Sequence, residues 1–249
     1  MRLCALALSL MSELILFRHG QADAFGADYD RLTATGREQS QRLGEYLAAK
    51  GMRFDEIYTG PRTRQIDTCE LTGAELIRAE LPWPEPQLIN ELDEYDGNGI
   101  MRTFAPMLAE RDERIRTLVA ANAQSGSPRD RYRNFQLLFE AVAARWVSGD
   151  VSSSEVEPWP AFRARVQRGM ARITQGGARG RRIGVFTSGG PISITVQAAL
   201  SAPPEMAIEL NWRIRNSSLT GIVFSGDRHT LDYFNAVPHL SDSSLWTYR

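Results

Sequence analysis

A chain of 249 residues has room for one large α/β domain or two smaller ones, and 43% hydrophobic with 24% charged residues excludes a disordered or fibrous polypeptide. A formal net charge of −1 gives no global attraction to nucleic acid or to an anionic membrane. Cys4 and Cys69 are too few for a disulfide framework, which suits a reducing cytoplasm, and with only three histidines no metal site is spaced to form.

In chain order, Leu3-Cys4-Ala5-Leu6-Ala7-Leu8 resembles a weak signal sequence, but the apolar run is short and lacks a small-residue cleavage site. Residues 1–10 are expected to be a disordered or mis-started extension, with Met11 as the working start and the domain proper over 11–249. No segment approaches the roughly 18 apolar residues of a membrane span. The run Glu13-Leu14-Ile15-Leu16-Phe17-Arg18-His19-Gly20 reads as a buried parallel strand ending in a cation, an imidazole and a glycine. A helix is expected next, with Thr35 as its cap, Glu38 three residues on, and Gly51 at its end.

Asp55–Thr59 reads as a second strand, and Gly60-Pro61 as the opening of a helix to about Leu76, with Pro61 in its first turn. After the connector containing Pro82, Pro84 and Pro86, a third strand is expected over Gln87–Leu92. Residues 100–157 read as an inserted helical cap with two helices, Met101–Ala123 and Tyr132–Val147, split at Ser125-Gly126-Ser127-Pro128. Further elements are a helix over Trp159–Thr174, a buried strand over Arg182–Thr187, a helix over Ile192–Leu200, and a hairpin of Ser218–Ser225 and His229–Phe234 around Gly226-Asp227. Strands alternating with helices predict a layered α/β fold.

Polar residues gather at the predicted strand ends. These are Arg18-His19-Gly20, Asn90-Glu91 and Ser188-Gly189-Gly190, with Arg62 and Arg64 in the first turn of the helix after Pro61. In open α/β sheets ligands bind beyond the carboxyl ends of the strands. Guanidinium groups beside a helix N-terminus suit a dianionic phosphate, because amides point at it and arginine matches its oxygens.

Leu16-Phe17-Arg18-His19-Gly20, followed by Tyr58-Thr59-Gly60-Pro61-Arg62-Thr63-Arg64-Gln65-Ile66-Asp67-Thr68, resembles the histidine phosphatase superfamily in its phosphoglycerate-mutase-like branch. The first stretch carries that family's Arg-His-Gly signature. The second is similar to its Ser-Ser-Pro-Leu-x-Arg-Ala-x-x-Thr segment. Asn90-Glu91 resembles the position of the family's acidic proton donor, and Asn235-Ala236-Val237-Pro238-His239-Leu240 a closing segment common there. The resemblance implies a three-layer fold, a mostly parallel sheet with helices on both faces and the helical cap inserted. It also implies a cytoplasmic, metal-independent phosphatase with no cofactor, acting on a small-molecule or protein phosphomonoester rather than on nucleic acid or membrane.

The implied chemistry is attack by His19 on phosphorus to give a phosphohistidine, with Arg18 and Arg64 holding the phosphoryl oxygens. Glu91 protonates the departing alcohol, and water then releases phosphate. Ser188 and Gly189 complete the phosphate site. The chain departs from the pattern at Ser188, where the family has a second histidine in a Val-x-x-His-Gly context. Serine donates one hydrogen bond without a charge, so activity is expected to be low unless His239 folds back to contribute. Three alternatives stay open. One is a weak or inactive phosphoester-binding protein. A second is a phosphoglycerate-type mutase, which would have to protect its phosphohistidine from water. The third is a serine hydrolase using Ser188 with Asp227 or Asp232 and His239. Against that last reading, Phe186 stands where a nucleophile elbow needs glycine.

Arg62, His229 and the basic stretches Arg129–Arg133 and Arg179–Arg182 read as solvated surface. Glu91 stands in an acidic run with Asp93, Glu94 and Asp96, whose spacing does not fit a calcium loop.

Overall fold

A computed structural model describes residues 11–23, 30–176 and 179–248, so the expectation for residues 1–10 lies outside the described residues. The chain divides into two compact units, one formed by residues up to 94 together with Arg165–Arg249, the other by Tyr95–Ala164.

The first unit is built on a six-stranded mixed sheet in the order β3-β2-β4-β1-β5-β6. The strands are β1 (Ser12–Arg18), β2 (Glu56–Thr59), β3 (Gln87–Leu88), β4 (Arg182–Thr187), β5 (Leu219–Ser225) and β6 (Arg228–Ala236). β3, β2, β4 and β1 pair in parallel, while β5 and β6 add antiparallel, so the first strand in sequence lies at the centre. Centrality explains the unbroken apolar run of β1: with helices around the sheet, both faces of the strand are buried. Ile15 and Phe17 join Leu43 and Leu47 of α1 (Ala34–Ala49), and Cys69 and Leu76 of α2 (Thr63–Arg78), in one core cluster. Leu14 and Leu16, on the opposite face, are equally inaccessible.

Several boundaries differ from expectation for local reasons. α1 is capped by Thr33, whose hydroxyl accepts from the Gly36 N–H, and not by Thr35. Glu38 pairs with Arg42 one turn on instead of closing a capping box. α2 starts after Arg62, leaving Pro61 just outside the helix. There the Gln65 side chain accepts from the Arg62 N–H at 3.1 Å. β3 is only two residues long, and a 3₁₀ turn over Asn90–Leu92 replaces the rest of the expected strand.

The second unit holds α3 (Gly97–Arg111), α4 (Glu113–Ala123) and α5 (Pro128–Ser148). The single helix expected over Met101–Ala123 is two, because the Asp112 carboxylate accepts from the N–H groups of Arg114 and Ile115 and restarts the chain as α4. α5 ends at Gly149 in a left-handed conformation, which glycine adopts without a Cβ clash. Tyr95, Phe139, Trp146, Trp159 and Phe162 form the aromatic core of this unit.

α6 (Trp159–Thr174) runs from the second unit into the first, and its C-terminal end leads to the N-terminal end of β4. α7 (Gly189–Ala199) follows β4 directly, starting three residues before the helix expected there. The short α8 (Met206–Asn211) has no counterpart in the sequence reading. The β5–β6 hairpin turns at Gly226-Asp227 as expected, with Gly226 at φ +58°. Among the described residues no helix is long and apolar enough to cross a membrane.

Candidate active site

Parallel pairing of β1 with β4 sets Arg18 opposite Thr187. His19 and Ser188, the residues that follow the two strands, therefore lie side by side beyond the strand ends, and the His19 N–H donates to the Thr187 carbonyl at 2.9 Å. β2 brings a third segment to the same edge, where the Gly60 N–H donates to the Phe186 carbonyl at 3.0 Å. From there the chain passes through Pro61 into α2, which carries Arg64 in its first turn.

His19 is buried and held at both ring nitrogens. Nδ1 lies 2.7 Å from the Gly20 carbonyl oxygen, and Arg64 Nε donates to Nε2 at 3.2 Å. These contacts require the tautomer with the proton on Nδ1 and a lone pair on Nε2. Burial, reinforced by repulsion from Arg64 and then Arg18, holds the imidazole pKa well below its usual 6.5, against a smaller opposing effect of the Gly20 hydrogen bond. The ring is therefore neutral near pH 7, with its Nε2 lone pair facing a guanidinium.

The backbone here is fixed as firmly as the ring. The His19 carbonyl accepts from the Ser217 N–H at 3.1 Å and from Asn216 Nδ2 at 3.2 Å. The Thr68 hydroxyl accepts from the Gly20 N–H at 3.0 Å and donates to the Arg64 carbonyl at 2.7 Å, tying the two signature segments together. A Cβ on Gly20 would stand 2.3 Å from the Gly36 carbonyl oxygen, so only glycine lets α1 approach this closely. Arg64 also pairs with the Asp30 carboxylate at 2.8 Å, and Asp30 accepts from the Thr63 N–H at 2.8 Å. Arg18, likewise buried, donates from Nη1 to the Ile214 carbonyl, and its guanidinium carbon lies 3.9 Å from where a Cβ on Gly189 would stand.

Ser188 is fully buried at the start of α7, and its hydroxyl oxygen accepts from Gln65 Nε2 at 2.7 Å. His239 is not joined to Ser188. Its Nε2 lies 2.8 Å from the Ser217 hydroxyl, and burial, with Arg42 adding repulsion, pushes its pKa down to about 4. A neutral His239 thus supports the segment that grips the His19 carbonyl. Among the described residues no hydrogen bond joins Ser188, His239 and either Asp227 or Asp232 as a serine triad requires.

The acidic run divides. Glu91 turns toward α6, with its carboxylate 3.7 Å from Arg172 Nη1. Glu94 turns the other way and accepts from the Gly190 N–H at 3.1 Å, at the N-terminus of α7. Asp93 pairs with Arg62, so Arg62 is only partly exposed and is engaged rather than freely solvated.

Sequence reasoning did not assign roles to Gln65, Asp30, Asn216, Ser217 or Glu94. Thr68 was visible as the end of the second signature, and Asn216-Ser217-Ser218 as a polar run before β5. Nothing in the linear pattern tells which acidic residue of four turns inward. Among the described residues, no group of three or more His, Cys, Asp or Glu side chains is placed to hold a metal ion.

Comparison with known proteins bears on the family and the fold. The model of the histidine phosphatase superfamily (branch 1) matches residues 14–147 and 112–237. A 2,3-bisphosphoglycerate-dependent phosphoglycerate mutase from Azorhizobium caulinodans is 36% identical over 98 residues, 37% of this chain and 48% of that protein. The chain thus spans about half the length of the curated relatives it matches. The fold is shared with a putative alpha-ribazole-5'-P phosphatase from Escherichia coli, at TM-score 0.63 and 22% identity over 91% of this chain and 97% of the other. It is also shared with a phosphoglycerate mutase from Bacillus anthracis, at TM-score 0.62 and 19% identity over 95% of this chain and 98% of the other.

Proposed function

The chain belongs to the histidine phosphatase superfamily, and on that premise we propose that it hydrolyses a phosphomonoester through a phosphohistidine on His19, without a metal. The observation that carries this reading is the state of His19: neutral, anchored at Nδ1 by the Gly20 carbonyl, and presenting Nε2 beside Arg64. Phosphoryl transfer asks a protein mainly to position the nucleophile and stabilise charge on the equatorial oxygens. Arg18 and Arg64 are the cations for that role, and the start of α7 at Ser188-Gly189 adds uncharged donors. Nε2 attacks phosphorus as the P–O bond to the alcohol breaks, and a carboxyl group delivers a proton to the departing oxygen. Water then attacks the phosphohistidine, the N–P bond breaks, and neutral His19 is regenerated.

A second reading, a phosphoester-binding protein with little turnover, is favoured by Ser188, which brings no positive charge where the family places a histidine. The decisive measurement is phosphate release from an aryl phosphate by wild type and His19→Ala. Turnover that disappears in the variant supports the enzyme. Equal inertness, with wild type still binding phosphate, supports the binding protein.

A further inference from the structure

We infer that Asp30 is a positioning residue: its carboxylate aims the Arg64 guanidinium at the His19 ring and gives that buried cation a counter-charge, so it acts on the reaction through Arg64. The inference rests on the phosphatase reading above and deepens it.

A paired neck of chain brings Asp30 to this place. The Thr33 N–H donates to the Gln21 carbonyl at 2.9 Å, the Asp23 N–H donates to the Arg31 carbonyl at 3.2 Å, and Ala22 bridges Leu32 in antiparallel fashion. Gln21 directly follows Arg18-His19-Gly20, so the residue just past this neck is held in relation to the nucleophile. The two carboxylate oxygens then divide between neighbours on α2. Oδ2 accepts from the Thr63 N–H at 2.8 Å, an amide of the first turn that has no partner within the helix. Oδ1 accepts from Arg64 Nη1 at 2.8 Å. One oxygen grips the helix backbone at residue 63, and the other the side chain of residue 64.

A guanidinium is a rigid plane tethered through Nε by its own side chain, so holding Nη1 sets the direction of the Nε–H. Here it points at His19 Nε2, 3.2 Å away. The Arg64 side chain is only 3% exposed, and removing one partner of a buried ion pair leaves a charge uncompensated. Arg62 also feels the Asp30 charge but is paired with Asp93, so the direct bond goes to Arg64. Before Nε2 can bond to phosphorus it has to give up the Arg64 N–H, which passes to a phosphoryl oxygen. Asp30 keeps Nη1 in place through that exchange, and the cation stays beside the transferring group.

The test is a double-mutant cycle of Asp30→Asn with Arg64→Ala, read in two ways. In turnover of nitrophenyl phosphate, Asp30→Asn should lower kcat/KM about 10- to 100-fold, the scale of a misaligned binding group. In the Arg64→Ala background it should cost less than about threefold more. The second readout, nitrogen NMR of the His19 ring, needs no turnover, and with three histidines in the chain His19→Ala assigns the signal. Asp30→Asn should move the Nε2 signal as its hydrogen bond changes, and the double variant should match Arg64→Ala. Melting temperatures check the fold; should Asp30→Asn fail to fold, Asp30→Glu, which displaces the carboxylate by one methylene, takes its place with the same expectations. Equal losses in both backgrounds would make Asp30 a prop of its loop, and a gain in kcat/KM would make it a competitor of phosphate. Either result overturns the inference, as does an unmoved Nε2 signal. If wild type releases no phosphate, or His19→Ala releases as much, the phosphatase reading itself has failed, and the NMR cycle still decides whether Asp30 aims Arg64.

Discussion

At the scale of single residues, Ser188 and Gln65 are best understood as a pair. Gln65 stands where the resembling family segment has alanine, and Ser188 where it has histidine. The two side chains meet at 2.7 Å in a fully buried spot. The longer residue on α2 fills toward the shorter one at the start of α7, so the two departures compensate in volume and in hydrogen bonding. Because Ser188 Oγ accepts from Gln65, its own proton is directed elsewhere, toward the phosphate site in the proposed mechanism. Ser188→Ala should then cost ~1–3 kcal/mol of stability, since Gln65 Nε2 is left buried without its acceptor; urea unfolding measures this. Ser188→His alone should lower both stability and turnover, because the imidazole has to displace Gln65. Combining it with Gln65→Ala should recover much of the loss, a non-additivity that a double-mutant cycle in kcat/KM reads directly. A gain in activity from Ser188→His alone would show that serine is a simple defect.

At the scale of elements, the close approach of α1 to α2 sets where Arg64 is delivered. A Cβ on Gly44 of α1 would stand 2.5 Å from the Thr72 carbonyl oxygen and 2.7 Å from Glu75 Cβ, both on α2. Gly44→Ala is therefore expected to push the helices apart at a cost of about 1–3 kcal/mol, seen as a lower melting temperature. An unchanged melting temperature would mean that the helix pair adjusts without strain. The elements most legible in sequence were those with strong pattern and unambiguous ends, such as β1, β4 and α6, whose apolar spacing stands out over a full strand or several turns. Legibility failed where a contact from elsewhere decided the outcome. Thr33 won the α1 cap over Thr35 because its hydroxyl also reaches the Gln21 side chain at 2.8 Å. Asn90–Leu92 became a 3₁₀ turn where the apolar pattern read as strand. Of the site, His19, Arg18 and Arg64 could be read from their signatures, whereas the division of Glu91 from Glu94 depends on which way a short turn faces.

At the scale of the whole molecule, two buried neutral histidines make stability depend on pH. His239 is held to about 4 by burial and then by Arg42, while its Nδ1 has no hydrogen-bond partner among the described residues. His19 is held low for the reasons given above. In the unfolded chain both take a proton near 6.5. Between the two limits the unfolded state therefore binds more protons than the folded one, so stability falls with falling pH. The contribution is fully present above about 6.5, and for His239 alone amounts to on the order of 3 kcal/mol lost by pH 4. Urea midpoints at pH 7 and pH 4.5 should differ accordingly, and His239→Asn should flatten the slope. A wild-type midpoint that does not move over this range would refute the buried neutral state.

The grip on the His19 carbonyl also bears on the order in which the protein can come into being. Ser217 and Asn216 hold that carbonyl, and Asn216 is in turn bonded to Thr247, whose hydroxyl also accepts from Gln39 at 2.9 Å. β1 is made well before its two sheet neighbours, which begin only at Arg182 and Leu219. This apolar strand thus waits for both sheet partners to be made, and His19 is secured only when residues near 247 fold back. A nascent chain or fragment halted before β5 displays the complete Arg18-His19-Gly20 signature without the hydrogen bonds that hold His19 in position.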